Sequence, residues 1–213
     1  MLEPDGFRCL PSVYDETRLA EIESGLDAAA SRGGLKPHGG RNLIRAWPGL
    51  ANVVRKTPAE ELLRGLGLVR GMLFDKPPGR SWFVAWHKDL SIAVRGQAER
   101  MTVKGGVPHV EAPDELLRRM VAVRIHRDDA DEENGCLEVV PGSHREGKWV
   151  GSTASSRLLP ARRGDVLLMR PLLTHRSRRS RSTARSGRRV IHLEWAPAGS
   201  PAAGLEWHDF EAL

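Results

Sequence analysis

The residue types best suited to metal chemistry in this chain stand in one short segment, His87-Lys88-Asp89, directly after an apolar run. Alternate side chains of a β-strand point the same way, so this imidazole and this carboxylate are expected to converge. Together they form two thirds of the facial triad of two histidines and one carboxylate that holds non-haem Fe(II). The segment therefore indicates part of an iron site.

Other segments offer the same residue types. His126-Arg127-Asp128 repeats the pattern, and His109-Val110-Glu111 is a version with glutamate. A third ligand has to come from a distant strand, and His144, His175 and His192 are the candidates. Residue types and spacing alone leave these alternatives open.

An arginine close to one of these histidines suits an anionic ligand. The segment Gly164–His175 begins with a tight turn, continues as an apolar strand and carries a histidine where that strand ends. After an arginine-rich loop, residues 176–189, a further strand begins with Arg188 and Arg189. Arginine presents two parallel N–H donors to a carboxylate. Such a residue beside a metal is what the distal carboxylate of 2-oxoglutarate requires.

Two helices and a set of short strands are expected to position these residues. Asp15 can cap a helix over residues 15–32, which Gly33-Gly34 would end, and Thr57-Pro58 begins a second helix over residues 57–67. From residue 68 onward, short apolar runs alternate with Gly and Pro turns. This texture favours a sandwich or barrel over alternating strand–helix units.

Composition fits one globular domain. The 213 residues are 40% hydrophobic and 28% charged, with a net charge of +6 that permits an anionic partner. Cys9 and Cys136 are too few for a disulfide framework. The sequence has no signal-peptide pattern and no run approaching about 18 apolar residues, so a cytoplasmic protein without a membrane partner is predicted.

Five segments, in this order, resemble landmarks of the phytanoyl-CoA dioxygenase family of Fe(II)- and 2-oxoglutarate-dependent oxygenases. The order of the set carries the resemblance, because each piece alone is unspecific. The segments are Met72–Pro78 (MLFDKPP), Trp86–Asp89 (WHKD), Glu133–His144 (ENGCLEVVPGSH), Gly164–Ser177 (GDVLLMRPLLTHRS) and Arg188–Trp195 (RRVIHLEW).

The resemblance implies a double-stranded β-helix, which is a cupin-like jelly roll, mainly β with helices packed outside it. The jelly-roll core is expected at residues 68–197, after a helical part at residues 1–67. Residues 1–213 are expected to form a single dioxygenase domain.

The resemblance also implies that His87, Asp89 and His175 are the catalytic residues and bind one Fe(II), with 2-oxoglutarate and O₂ as co-substrates. Arg188 opens the segment that aligns with the family pattern, so it is the preferred partner of 2-oxoglutarate. The spacing from His175 is longer than in that pattern, which keeps Arg189 as the alternative. Neighbouring strand residues face opposite sides, so only one of the two arginines can serve.

Three further residues are predicted to bind the co-substrate. Arg124 and His126 share one face of a predicted strand and alternate with the apolar Val123 and Ile125. If that polar face borders a cavity and not solvent, both side chains could contact 2-oxoglutarate or an anionic substrate. Met72 matches a family position near the co-substrate, and a core methionine is the alternative interpretation.

The function implied by the resemblance is hydroxylation of a small molecule of acyl or amino-acid type, with release of succinate and CO₂. The basic loop at residues 176–189 points to an anionic or carrier-bound substrate.

Two other functions compete with this interpretation. The first is a nucleic-acid-binding protein, or an oxygenase acting on nucleic acid, that uses the arginine-rich loop. The second is a cupin-like metal-binding module without catalysis. The chain has no known nucleic-acid-binding signature, and Glu194 stands where demethylases of alkylated bases carry a second arginine. Nucleic acid is therefore not the expected partner.

Overall fold

The computed structural model describes residues 2, 4–32, 39–78, 81–181 and 186–213. The helices are α1 (Glu16–Ser31), α2 (Leu43–Ala46), α3 (Pro58–Leu62) and α4 (Asp114–Arg119), with 3₁₀ helices at Leu50–Val54 and Ser143–Glu146. The strands are β1 (Phe7–Leu10), β2 (Gly39–Gly40), β3 (Leu66–Lys76), β4 (Val84–His87), β5 (Ser91–Arg95), β6 (Thr102–Lys104), β7 (Val107–Glu111), β8 (Val121–His126), β9 (Leu137–Val139), β10 (Arg157–Leu159), β11 (Val166–Met169), β12 (His175–Ser177), β13 (Arg188–Pro197), β14 (Glu206–Trp207) and β15 (Glu211–Ala212).

The strands form three sheets. The large sheet has the order β1-β11-β8-β13-β3-β15, with β2 paired to β3. A second sheet has the order β10-β9-β12-β4, and a third has the order β14-β5-β7-β6. All the strand pairs described are antiparallel, and neighbours in the sheets are mostly distant in the chain. This mainly β architecture with outer helices confirms the predicted jelly roll.

The two faces of the large sheet have different surroundings because side chains alternate along each strand. Val123 and Ile125 of β8 and Ile191 of β13 pack into a cluster with Leu19 and Ile22 of α1. The opposite face contributes Ala122, Leu167 and Met169 to a cluster with Leu137 and Val139 of the second sheet. Arg124 and His126 of β8 and Arg188 and His192 of β13 lie on this inner face, between the two sheets.

The first helix agrees with the sequence. Asp15 is the N-cap of α1, and its carboxylate accepts a hydrogen bond from the backbone N–H of Arg18 at 2.8 Å. The expected stop at Gly33-Gly34 lies outside the described residues. No helix within the described ranges is long and apolar enough to cross a membrane.

Two features differ from the expected helical N-terminal part. The second helix ends at Leu62 and not at residue 67, because β3 begins at Leu66. Phe7–Leu10 forms β1, which pairs with β11 in the large sheet. Four residues are too short to give a strand pattern of their own, and this strand is stabilised by its pairing with β11.

Candidate metal and co-substrate site

Three predicted ligands converge where the second sheet meets the segment after β4. His87 and His175 are directly paired across β4 and β12, and their ring centroids are 4.1 Å apart. Asp89 Oδ1 is 3.7 Å from His87 Nε2, and Asp89 Oδ2 is 3.7 Å from His175 Nε2. One ligand atom from each residue lies within 4.8 Å of the others. This arrangement could hold a metal ion.

The tautomers of both histidines are fixed by their own strands. Nδ1 of His87 lies 2.8 Å from the carbonyl oxygen of Ala85, and Nδ1 of His175 lies 2.8 Å from that of Leu173. A carbonyl oxygen only accepts, so each Nδ1 carries the proton and donates it. Nε2 of each ring then directs its lone pair toward Asp89, as in histidines that bind a metal.

The protonation states also suit a divalent cation. Burial lowers the pKa of His175 to about 4, so its imidazole is neutral at pH 7. Burial of Asp89 favours the protonated carboxyl, but the neighbouring imidazoles, His175 first, lower its pKa to about 2. Oδ2 of Asp89 is buried and has no hydrogen-bond partner among the described residues. Two imidazoles and one carboxylate are a donor set that fits Fe(II).

Ser143, in the 3₁₀ helix Ser143–Glu146, forms hydrogen bonds with both segments that carry the predicted metal ligands. The ammonium of Lys88, which lies between His87 and Asp89, donates to the carbonyl oxygen of Ser143 at 2.8 Å. The hydroxyl of Ser143 accepts from the backbone N–H of Thr174, the residue before His175, at 2.8 Å. Ser143 therefore links the two segments that carry the ligands.

A cavity of about 460 Å³, including its open mouth, adjoins the three converging side chains. Its wall combines apolar side chains with buried cations of the large sheet and the half-buried Arg176 of the second sheet. Besides His87, Asp89 and His175, the lining residues are Met72, Phe74, Lys76, Trp82, Val84, Arg124, Leu137, Arg176, Ser177, Arg188 and His192.

Three of these cations are buried and have no carboxylate partner among the described residues. Lys76 and Arg188 are each 2% exposed, and Arg124 is 5% exposed. Nε and Nη1 of Arg188 have no hydrogen-bond partner within the described part of the chain. Burial first, and then Arg188 and Arg124, lower the pKa of Lys76 to about 7. Asp89 is the one carboxylate among the described lining residues, so this group of cations fits an anionic ligand.

Lys76 and Ser177 were not identified from the sequence. Nζ of Lys76 donates to Ser177 Oγ and to the carbonyl oxygen of Trp82, both at 2.7 Å. Since Ser177 accepts this bond, its own proton is left to donate elsewhere. The signal was the two-residue period of strands, which places Lys76 on the same face as Met72 and Ser177 on the same face as His175.

The other predicted contacts divide between the cavity and its surroundings. Arg188, Arg124 and Met72 line the cavity. His126 does not, contrary to expectation. It is buried further along β8, where its Nδ1 lies 3.3 Å from the carbonyl oxygen of Asp165. On the polar face of β8, Arg124 therefore borders the cavity and His126 does not.

Arg189, the alternative arginine, is paired with Asp128 of the alternative segment His126-Arg127-Asp128. Arg189 lies on the opposite face of β13 from Arg188, and its guanidinium donates to both carboxylate oxygens of Asp128 at 2.7 and 2.8 Å. This pairing engages both carboxylate oxygens of Asp128. Glu111 of the other alternative segment is 2.7 Å from the ammonium of Lys148.

The described part of the arginine-rich loop is rich in ion pairs. Arg176 and Arg178 both contact Glu138, at 2.7 and 3.2 Å. Arg181 contacts Glu132 and Glu133. Residues 182–185 of the loop lie outside the described residues. These pairs reduce the charge that the loop could offer to a nucleic acid.

The sequence is similar to known proteins over part of its length. The sequence profile of the family described as phytanoyl-CoA dioxygenase (PhyH) matches residues 48–190. The dioxygenase lolE1 of Epichloe uncinata is 36% identical over 89 residues, which cover 34% of this chain and 33% of that protein. The chain thus aligns with about a third of the length of this curated relative.

Several solved structures share the fold. The non-haem alpha-ketoglutarate-dependent carbocyclase SnoK from nogalamycin biosynthesis matches with a TM-score of 0.71 and 17% identity, over 99% of this chain and 92% of that one. HygX from Streptomyces hygroscopicus, crystallised with nickel and 2-oxoglutarate, matches with a TM-score of 0.65 and 18% identity, over 98% and 94%. EctD from S. alaskensis with bound Fe has a TM-score of 0.68 and 17% identity, over 92% and 74%.

Proposed function

The chain belongs to the phytanoyl-CoA dioxygenase family, and from this premise we propose that it is an Fe(II)- and 2-oxoglutarate-dependent dioxygenase. One observation carries the proposal. A convergent His-Asp-His group lines the same cavity as a buried set of cations that have no carboxylate partner in the described part of the chain. The first fits a divalent metal and the second fits a dicarboxylate, so the two together support a metal enzyme with an anionic co-substrate.

His87, Asp89 and His175 would hold the iron. When bound, Fe(II) supplies the activation of O₂ that is coupled to oxidative decarboxylation of 2-oxoglutarate to succinate and CO₂. Arg188 and the hydroxyl of Ser177 bind the distal carboxylate, and Lys76 adds positive charge beside it. Arg124 adds positive charge next to His192. Phe74, Val84 and Leu137 form apolar walls that keep water from the ligand.

The reaction we propose is hydroxylation of a small molecule. The cavity beside the triad is lined by apolar side chains and a few convergent polar groups, as is usual for small-molecule sites. HygX, one of the proteins of similar fold, was crystallised with hygromycin B bound. Asp89 completes the triad as a third protein ligand, which favours hydroxylation over transfer of a halide.

We further propose that the substrate carries an acidic group, either free or on a carrier. Arg41 lies against Met72 of the cavity wall, and Lys104 lies on the hairpin that Arg41 packs against. The guanidinium of Arg41 lies 3.7 Å from Met72 Sδ, and its aliphatic part packs closely against Gly105. Lys104, on the same hairpin, donates to Ser91 Oγ at 2.6 Å. Neither cation has a carboxylate within 4 Å among the described residues, so both are available to an anion.

The test uses the purified protein under anaerobic conditions. Addition of 2-oxoglutarate to the Fe(II)-loaded protein should produce a visible charge-transfer absorption band, because the keto acid chelates the metal. Admission of O₂ with a mixture of small organic acids, amino acids and acyl thioesters should then release succinate above the rate without substrate. Metal binding without this band or without succinate would instead favour a non-catalytic metal-binding module.

A further inference from the structure

His192 is a buried polar side chain of the cavity to which the proposed function gives no role. It lies in β13, is 2% exposed and lines the cavity with the triad. In the large sheet it is paired with Met72 of β3 on one side and with Arg124 of β8 on the other. It therefore stands at the centre of the inner face of this sheet.

The hydrogen bond from Arg124 fixes the tautomer of His192. Nη1 of Arg124 lies 3.2 Å from His192 Nδ1. A guanidinium only donates, so Nδ1 must accept and cannot carry a proton. The neutral ring then carries its proton on Nε2. His192 is thus held as an uncharged donor next to a cation.

That donor has no partner. Nε2 of His192 is buried and makes no hydrogen bond to any described residue. The carboxylate oxygen Oε1 of Glu194 is 3.6 Å away, beyond hydrogen-bond distance, and Oε1 is itself 3.2 Å from the guanidinium of Arg70. A buried N–H without an acceptor is costly and rare in proteins, so an acceptor from a bound ligand would explain it.

We propose that the Nε2–H group of His192 donates a hydrogen bond to the carboxylate of 2-oxoglutarate at its metal-proximal end. The inference rests on the proposed function. His192 is four residues along β13 from Arg188, about 13 Å at the usual rise of a strand. Arg188 serves the distal carboxylate, and His192, further along the same strand, lines the same cavity as the triad, so the two side chains can hold opposite ends of the ligand.

A neutral donor suits this position. Arg124 already provides a positive charge beside the ring, and a second cation would add repulsion in a buried site. A hydrogen bond from a neutral N–H to a carboxylate is charge-assisted, and it orients the ligand without changing the net charge of the cavity. Removing such a bond weakens binding by about tenfold to a hundredfold.

The experiment is an anaerobic titration of the Fe(II)-loaded protein with 2-oxoglutarate, followed through the charge-transfer band. His192→Phe should raise the dissociation constant for 2-oxoglutarate by about tenfold or more and shift the band, while the affinity for Fe(II) stays unchanged. His192→Gln, which retains an N–H donor at a similar distance from the backbone, should recover most of the affinity. His192→Leu replaces the phenylalanine variant if that variant does not fold.

His126→Phe is the matched control, because His126 is also a buried histidine on the inner face of a neighbouring strand but does not line the cavity. It should bind 2-oxoglutarate like the wild type. Unchanged affinity and band position in folded His192→Phe or His192→Leu would overturn the role of His192. Absence of 2-oxoglutarate binding to the wild type would overturn the proposed function instead, so the two failures are distinguishable.

Discussion

Arg188 and Arg189 are adjacent in β13 but belong to different environments, since Arg188 is buried in the cavity and Arg189 is bonded to Asp128 on the other face of the sheet. The two residues carry the same charge and lie at the same transition from loop to strand. Substitutions of Arg188 and of Arg189 therefore form a matched pair that removes the same charge from opposite sides of the sheet.

Arg188→Ala is expected to raise the 2-oxoglutarate concentration needed for half-maximal turnover by about a hundredfold or more. Charge-assisted hydrogen bonds to a buried carboxylate are worth about 1.5–3 kcal/mol each, and about 1.4 kcal/mol is a factor of ten. Arg188→Lys should rescue only in part, because lysine lacks the planar pair of donors. Steady-state kinetics with varied 2-oxoglutarate is the measurement. A larger loss in Arg189→Ala than in Arg188→Ala would contradict the assignment.

Replacing His87, Asp89 or His175 with alanine is expected to abolish both turnover and tight Fe(II) binding. Each change removes one of three converging donors and leaves the other two unable to retain the ion at low concentration. Equilibrium dialysis with Fe(II), or with Co(II) as a spectroscopic substitute, checks this. His126→Ala should retain the metal. Should His126→Ala lose it while His87→Ala keeps it, the choice of motif would be wrong.

Lys76 is expected to make the stability of the ligand-free protein depend on pH. Its pKa in the folded protein is lowered to about 7 by burial and by Arg188 and Arg124, against about 10.4 in an unfolded chain. Between these values the unfolded chain binds more protons than the folded protein. The contribution of Lys76 to the free energy of unfolding therefore rises as the pH increases from about 7 to about 10.

Thermal unfolding of the wild type and Lys76→Met across this pH range measures that contribution. The stability of the wild type relative to the variant should improve as the pH rises. Bound 2-oxoglutarate should reduce this trend, because a nearby carboxylate raises the pKa of the ammonium. Parallel pH curves for the two proteins would show that Lys76 does not titrate in this range.

Ser143→Ala is expected to weaken metal binding although Ser143 is not one of the three predicted metal ligands. The change leaves the buried backbone N–H of Thr174 without its acceptor, which costs about 1–3 kcal/mol. It also removes the hydroxyl that ties the His175 segment to the turn holding Lys88. Ser156→Ala, which removes a side-chain hydrogen bond at a residue that does not line the cavity, is the control. If stability falls but the Fe(II) affinity equals that of the control, the role of Ser143 is only structural.

The sequence predicted the parts of the site that depend on short segments. His87 and Asp89 are two residues apart on one strand end, so their convergence follows from the period of a strand. The preference for Arg188 over Arg189 needed an alignment with the family pattern, and the structure shows the physical basis, which is the register of β13 against β3 and β8.

The residues that the sequence could not assign depend on long-range pairing. Lys76 reads as part of a turn before Pro77, and only the pairing of β3 with β13 places it next to Arg188. The position of His126 outside the cavity could not be predicted either. It depends on where β8 crosses the second sheet, which is set by long-range pairing. A periodicity identifies the face of a strand but not the point along it where a cavity ends.

The central position of β13 also bears on how the protein folds. This strand lies between β3 and β8, and both partners precede it by many residues in the chain. Before β13 is in place, the segment with Met72 and Lys76 and the segment with Arg124 have no common partner and expose unpaired edges. Topologies dominated by such non-local pairing fold slowly and are open to aggregation while incomplete. In pulsed hydrogen exchange during refolding, the amides of β3, β8 and β13 should therefore gain protection together and late.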